Sequence, residues 1–163
     1  MDINYGENLS RIEVYKVDWD KSMDDVTLDY LYDKLSKIQS YRSTLVSMVK
    51  DALMNKVELF ENFRASEINY ENQLRYLMVT DPDTKAAKSD KGREAIADMK
   101  PQVMTLKKKA FEDEKKMSRI EAYIKALDGY LKDLDKQADV VQNQIFLLNL
   151  DVKIHPDRLI KLT

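Results

Sequence analysis

The sequence of 163 residues contains no cysteine, three glycines and three prolines. The missing cysteine excludes disulfides and thiolate metal sites and fits a reducing compartment. The shortage of glycine and proline argues against a sheet protein with many tight turns and for long helices. No run approaches the roughly 18 apolar residues needed to span a membrane. The acidic, polar start MDINYGENLS is unlike a secretory signal, so a cytoplasmic location is expected. Neither a glycine-rich phosphate loop nor a nucleophile elbow occurs. The stretch DPDTKAAKSD lacks the glycine and the closing glutamate of a calcium loop. The one histidine, His155 in KIHPDRLIKL, has no acid–base or ligand partner nearby in sequence and reads as a surface or helix-capping residue. No enzyme activity, cofactor, metal or small-molecule substrate is expected.

What the chain does have is charge, 34% of its residues, with a net charge of −2. That balance gives no global attraction to nucleic acid or to anionic lipid. The distribution is uneven. Residues 1–33 hold nine acids against three bases, while the window from Lys85 to Lys109 holds eight bases against three acids.

The hydrophobic pattern predicts an all-α protein. Residues 1–22 read as an acidic, extended arm in which Trp19 is the natural docking point. A helix is expected to start near Asp24–Asp25, where acids favour a helix N-terminus. Leu28, Leu31, Leu35, Ile38, Leu45 and Val49 follow steps of three and four, interrupted by Arg42. The seam is then expected to drift to Leu53, Val57, Phe60, Phe63, Ile68, Leu74 and Leu77. The cluster Thr80–Asp83, with Pro82, breaks the helix and opens a polar, mobile tip over 80–92. Gly92 either ends that tip or sits in the first turn of the next helix.

The second helix is the clearest pattern. Val103, Leu106, Ala110, Asp113, Met117, Ile120, Ile124, Leu127, Leu131, Leu134, Ala138, Val141, Ile145 and Leu148 alternate steps of three and four without a slip. Only Asp113 is polar, so the pattern is a coiled-coil seam. A lone polar seam residue commonly sets register or oligomer number. The seam is expected to extend back through Met99 and Ile96, leaving Pro101 inside the helix as a bend. Gly129 falls on the outermost heptad position. Two such helices joined by one short break predict a long antiparallel helical hairpin over 23–152, with a short C-terminal tail at 153–163. The segment Ser118–Val141 should then lie against Tyr30–Met54 of the same chain.

A two-helix hairpin buries little, and apolar residues off the seam point to self-association. Tyr123 and Tyr130 widen the stripe on one side of the second helix, and Tyr41, Met48 and Tyr70 lie off the main seam of the first. These five are the candidate homo-oligomer contacts. The candidate nucleic-acid contacts are Lys85, Lys88, Lys91, Arg93, Lys100, Lys107, Lys108 and Lys109, with Tyr76 and Phe111 placed to stack bases. The alternative for the lysines is a solvated coiled-coil surface.

The layout resembles the UvsY-type recombination mediators of tailed phages. The likeness lies in a short acidic start, the long helix TLDYLYDKLSKIQSYRSTLVSMVKDALMNKVELFENFRASEINY, a polar interruption after LRYL, and a return helix containing RIEAYIKALDGYLKDLDKQADVVQNQIF. It covers about residues 24–150. It implies a protein of the infected bacterium's cytosol that assembles into ring-like oligomers and binds single-stranded DNA. It also implies a role in loading a RecA-like recombinase onto strands coated by single-strand-binding protein. Carried onto this chain, the family's strand-binding surface matches only the lysines between Lys85 and Lys109. The other reading is a coiled-coil adaptor or assembly protein that works through protein contacts alone.

Overall fold

The first long helix, α1, runs Leu28–Thr80, and Thr27 closes its first turn. The Thr27 hydroxyl accepts from the Tyr30 amide at 3.2 Å, and the Thr27 carbonyl accepts from the Leu31 amide. A threonine in this position satisfies one of the donors that a helix start leaves orphaned. The computed structural model describes residues 26–154. The expected arm, with Asp24, Asp25 and Trp19, and the tail from His155 onward lie outside the described residues.

All secondary structure among the described residues is helical. Helix α1 runs Leu28–Thr80, α2 Pro82–Lys85, α3 Asp90–Asp98 and α4 Pro101–Ile154. The two long helices, α1 and α4, pack against each other as an antiparallel hairpin. The described residues form two compact units, one joining 26–51 to 123–154 and the other comprising Ala52–Ala122.

In the first unit, Leu31, Ile38 and Leu45 of α1 are buried, as are Tyr123, Leu127, Leu134, Val141 and Ile145 of α4. Arg42, the charged interruption in the α1 pattern, turns outward and its Nε meets Asp135 Oδ1 at 2.7 Å. This places the Ser118–Val141 stretch against the expected part of α1. Gly129 has open space around it, as its outer heptad position requires.

In the second unit, the two helices are tied at Lys56–Glu121, 2.8 Å, and at Ser66–Asp113, where the serine hydroxyl donates to the carboxylate at 2.6 Å. As α1 advances from Lys56 to Ser66, α4 recedes from Glu121 to Asp113, so the run is antiparallel. The lone polar residue of the α4 seam therefore finds its partner on α1 of its own chain, and the pair holds the register. All fourteen seam positions predicted on α4 are buried or half-buried.

The α1 pattern departs from expectation here. Its buried side passes through Ala52, Ser66, Leu74 and Leu77, with Leu59, Phe63 and Tyr70 half-buried between them. Leu53, Val57, Phe60 and Ile68, expected on the seam, are 48–60% exposed. The coiled-coil repeat holds its phase through a small residue and a polar one and leaves the bulkier side chains outside.

The interruption is also more helical than expected. Asp81 caps α2, accepting from the Thr84 amide at 3.0 Å and its hydroxyl at 2.8 Å, with Pro82 at the first helical position. Ser89 caps α3, accepting from Gly92 at 3.1 Å, so Gly92 belongs to the first turn of a helix. Thr84 and Ala97 are fully buried, and Ala97 joins Leu74, Leu77 and Val103 in a small core. Pro101 begins α4 and does not bend it. The chain leaves helix after Asp98, and Met99, expected to continue the seam, is 75% exposed. Proline has no amide to donate and is tolerated at that first position.

The corrected seam has a direct test. Leu74→Ala should cost about 2–4 kcal/mol, because Leu74 is buried in the small core. Ile68→Ala should cost under about 1 kcal/mol, since a half-exposed side chain leaves no closed cavity. Urea unfolding midpoints of the two variants would compare them. Equal losses would return Ile68 to the seam.

Candidate nucleic-acid interface

The eight bases predicted between Lys85 and Lys109 all fall in the unit Ala52–Ala122, and the fold divides them. Lys100 and Lys107 are held by carboxylates. Lys100 lies just before α4, where the return of the chain brings it to the start of α2. Its Nζ is 3.0 Å from Asp81 Oδ2 and 3.0 Å from Asp83 Oδ2. Asp81 is there as the cap of α2 and Asp83 as a member of its first turn. Lys107 reaches Asp98, the last residue of α3, in a short charge-assisted hydrogen bond. Asp98 also accepts from the Tyr70 hydroxyl at 3.0 Å, and the Lys107 ammonium sits 5.9 Å from the centre of the Tyr70 ring. Arg93 is held more loosely, 3.5 Å from Asp90, with its Nε donating to the Ala87 carbonyl at 3.3 Å.

The other five behave differently. Lys85, Lys88, Lys91, Lys108 and Lys109 are exposed and form no ion pair among the described residues. The first three stand on the connection between the long helices, and the last two on the third turn of α4. Of the two aromatics predicted to stack bases, Tyr76 is 60% exposed. Phe111 is exposed too, with the ammonium of Lys115 4.3 Å from its ring centre.

The held groups titrate accordingly. The hydrogen bond from Lys107 keeps Asp98 below the usual aspartate value despite partial burial, with help from Tyr70. The hydrogen bond from Lys100 does the same for Asp81, supported by Thr84. The carboxylates in turn raise Lys100 and Lys107. Burial, then the Asp98 carboxylate beside it, raises Tyr70. Burial pushes Asp113 upward, but the Ser66 hydroxyl and Lys116 outweigh it and leave the group below its ordinary value.

Beside this cluster runs an open groove of about 700 Å³ between α1 and α4, with Phe63, Tyr70, Met99, Met104 and Phe111 in its wall. Glu67, Glu71 and Glu114 stand on its rim together with Lys107 and Lys108. Glu67 is paired with Arg64 and Glu71 with Arg75, so the rim carries both signs. Such a rim does not draw a polyanion along the groove itself.

The predicted oligomer contacts fare unevenly. Tyr41 is exposed, while Met48 and Tyr130 are half-buried. Tyr123 is buried, and so does not present its ring on an outer flank. Tyr70 is engaged with Asp98 and Lys107. Leu53, Val57 and Phe60, expected on the seam, instead form with Met54 an outward apolar run, each at least 48% exposed. Following the α4 repeat across a strict heptad phase on α1 would have found it.

The depressed aspartates fix a pH dependence. A carboxylate held below its unfolded value, about 3.9, adds stability that is complete above that value and is lost as pH falls through the folded one. Asp81, Asp98 and Asp113 all contribute in this sense. The thermal midpoint should hold from neutrality to about pH 5 and fall below about pH 4. Asp98→Asn should lower the neutral midpoint and flatten the acid drop. An acid drop of unchanged depth in that variant would remove Asp98 from the account.

Comparison with protein-family models, with curated proteins and with solved structures finds no match for the chain.

Proposed function

We propose that this chain is a non-enzymatic mediator that binds single-stranded DNA near the connection between its long helices. In this reading it acts as a homo-oligomer and helps load a RecA-like recombinase onto strands coated by single-strand-binding protein. The role is the one implied by the resemblance to UvsY-type mediators. The observation that carries it is the set of five exposed, ion-pair-free lysines, Lys85, Lys88, Lys91, Lys108 and Lys109. A strand laid on them would release one counterion for each phosphate neutralised, which makes binding strongly salt-dependent. The exposed face of Tyr76 offers a sequence-tolerant platform for a base. With a net charge of −2 the whole molecule does not attract DNA from a distance. Affinity then comes from short-range contacts repeated over several copies on one strand.

Replacing the five lysines with glutamate should abolish binding of a single-stranded oligonucleotide at about 50 mM salt while leaving the mass in solution unchanged. Wild-type protein that shows no salt-sensitive binding under those conditions would end this reading.

A second reading, a coiled-coil adaptor or assembly protein without a nucleic-acid role, is favoured by a different observation. Leu53, Met54, Val57 and Phe60 expose a compact apolar run on the outside of α1. Exposed apolar clusters of this kind mark protein contacts. Val57→Ser combined with Phe60→Ser should lower the mass of the assembly in solution, with strand binding absent in wild type and variant alike. A mass identical to wild type would clear this run of any part in self-association.

A further inference from the structure

We propose that Asp81, Asp83 and Asp98 form an internal set of counter-anions that occupies Lys100 and Lys107, so that a DNA phosphate must displace a carboxylate of the same chain to reach either lysine. The inference rests on the strand-binding reading above and adds a control to it.

The geometry is specific. Two of the three donors of the Lys100 ammonium are directed at Asp81 and Asp83, each at 3.0 Å. Lys107 is directed at Asp98, which the Tyr70 hydroxyl steadies from the other side. Among the eight predicted bases these two have the closest carboxylate partners, while five others form no ion pair among the described residues, Lys109 having only a longer-range attraction to Asp113. An ammonium is a compact cation without directional preference for one anion, so carboxylate and phosphate oxygens compete for the same donors. The contest is open because the pairs are accessible to water. The Lys107 side chain is 54% exposed and that of Asp83 81%, while Lys100 and Asp81 are more sheltered at 25% and 19%. Exposed pairs hold weakly and are screened by salt.

The exchange has a mechanical consequence. Asp98 ends α3, and Asp81 and Asp83 start α2, so the carboxylates that would be displaced are the polar ties of the two short helices. What remains is the Tyr70 hydrogen bond to Asp98, the Asp81 cap on Thr84, and the burial of Thr84 and Ala97. Strand binding and loosening of the segment 82–98 are therefore one linked equilibrium, and whatever favours one favours the other.

The test measures anisotropy of a labelled thymidine oligonucleotide of about 20 bases with the full chain at low salt. Asp98→Asn frees Lys107, whereas Asp83→Asn removes only one of the two partners of Lys100 and leaves Asp81 in place. Glu94→Gln changes net charge equally but frees none, because Glu94 has no ion pair among the described residues. Asp98→Asn should tighten binding about three- to tenfold more than Glu94→Gln does, and Asp83→Asn by a smaller margin, since Asp81 keeps its hold on Lys100. Lys107→Gln should be nearly neutral in the wild-type background and should cancel the gain in the Asp98→Asn background. Amide exchange over 82–98 should quicken when the oligonucleotide is added. Equal tightening by all three acid variants would reduce the effect to net charge and overturn the inference. Strand binding that none of them alters would overturn it too, while leaving the strand-binding reading in place. No binding by any variant, Asp98→Asn included, would bring down both. Circular dichroism of each variant confirms that the helices are retained.

Discussion

An α-helix with one apolar stripe can bury it only against another stripe of the same period, and the periods must stay in phase along the contact. In the unit Ala52–Ala122 that requirement ranks above side-chain size. Ala52 and Ser66 take buried seam positions while Leu53, Val57, Phe60 and Ile68 remain outside. The hydrogen bond between Ser66 and Asp113 explains how so polar a choice is kept. A slip of the register would leave a carboxylate facing apolar side chains without its partner, a large cost for a buried group. The pair thus contributes less to net stability than to selecting one alignment over its neighbours.

The same constraint explains what the sequence disclosed. The α4 stripe was legible because its apolar residues are large and regularly spaced, and only one pairing partner was needed to infer a hairpin. The α1 stripe misled beyond Val49. Hydrophobic bulk sits on two sides of that part of the helix and does not by itself mark the seam. Phase, carried through alanine and serine, was the true signal. Pro101 misled in a similar way. The apolar pattern runs through Ile96 and Met99 as if unbroken, yet Ala97 is the buried residue and the chain leaves helix after Asp98. A proline that starts a helix and one that bends it look alike until the residues before it are placed. The break around Pro82 was readable, but not the two capped helices that follow it.

The candidate interface was legible as composition and illegible as pairing. Counting charges finds eight bases in a window, but cannot tell which of them are already satisfied. Lys107 and Asp98 are nine residues apart and belong to different helices, and Lys100 meets two acids 17 and 19 residues before it. These encounters follow from the capping of α2 and the end of α3, which only the folded path reveals. The tyrosines reveal a related limit. Tyr123 looked like an outer flank because it adjoins the seam, but a side chain one position off a heptad seam is long enough to turn in and be covered.

Weak ion pairs are usually discounted, and for stability that is right. For binding, weakness has another meaning. A lysine held by a strong, buried pair would be lost to any ligand, and a lysine with no partner would bind polyanions without discrimination. Lys100 and Lys107 lie between these limits, with Lys100 the more sheltered of the two. Their carboxylate partners also set the attachment of α2 and α3. Charge balance at this end of the molecule and the order of its short helices are therefore governed by the same few contacts. A polyanion that changes one has to change the other.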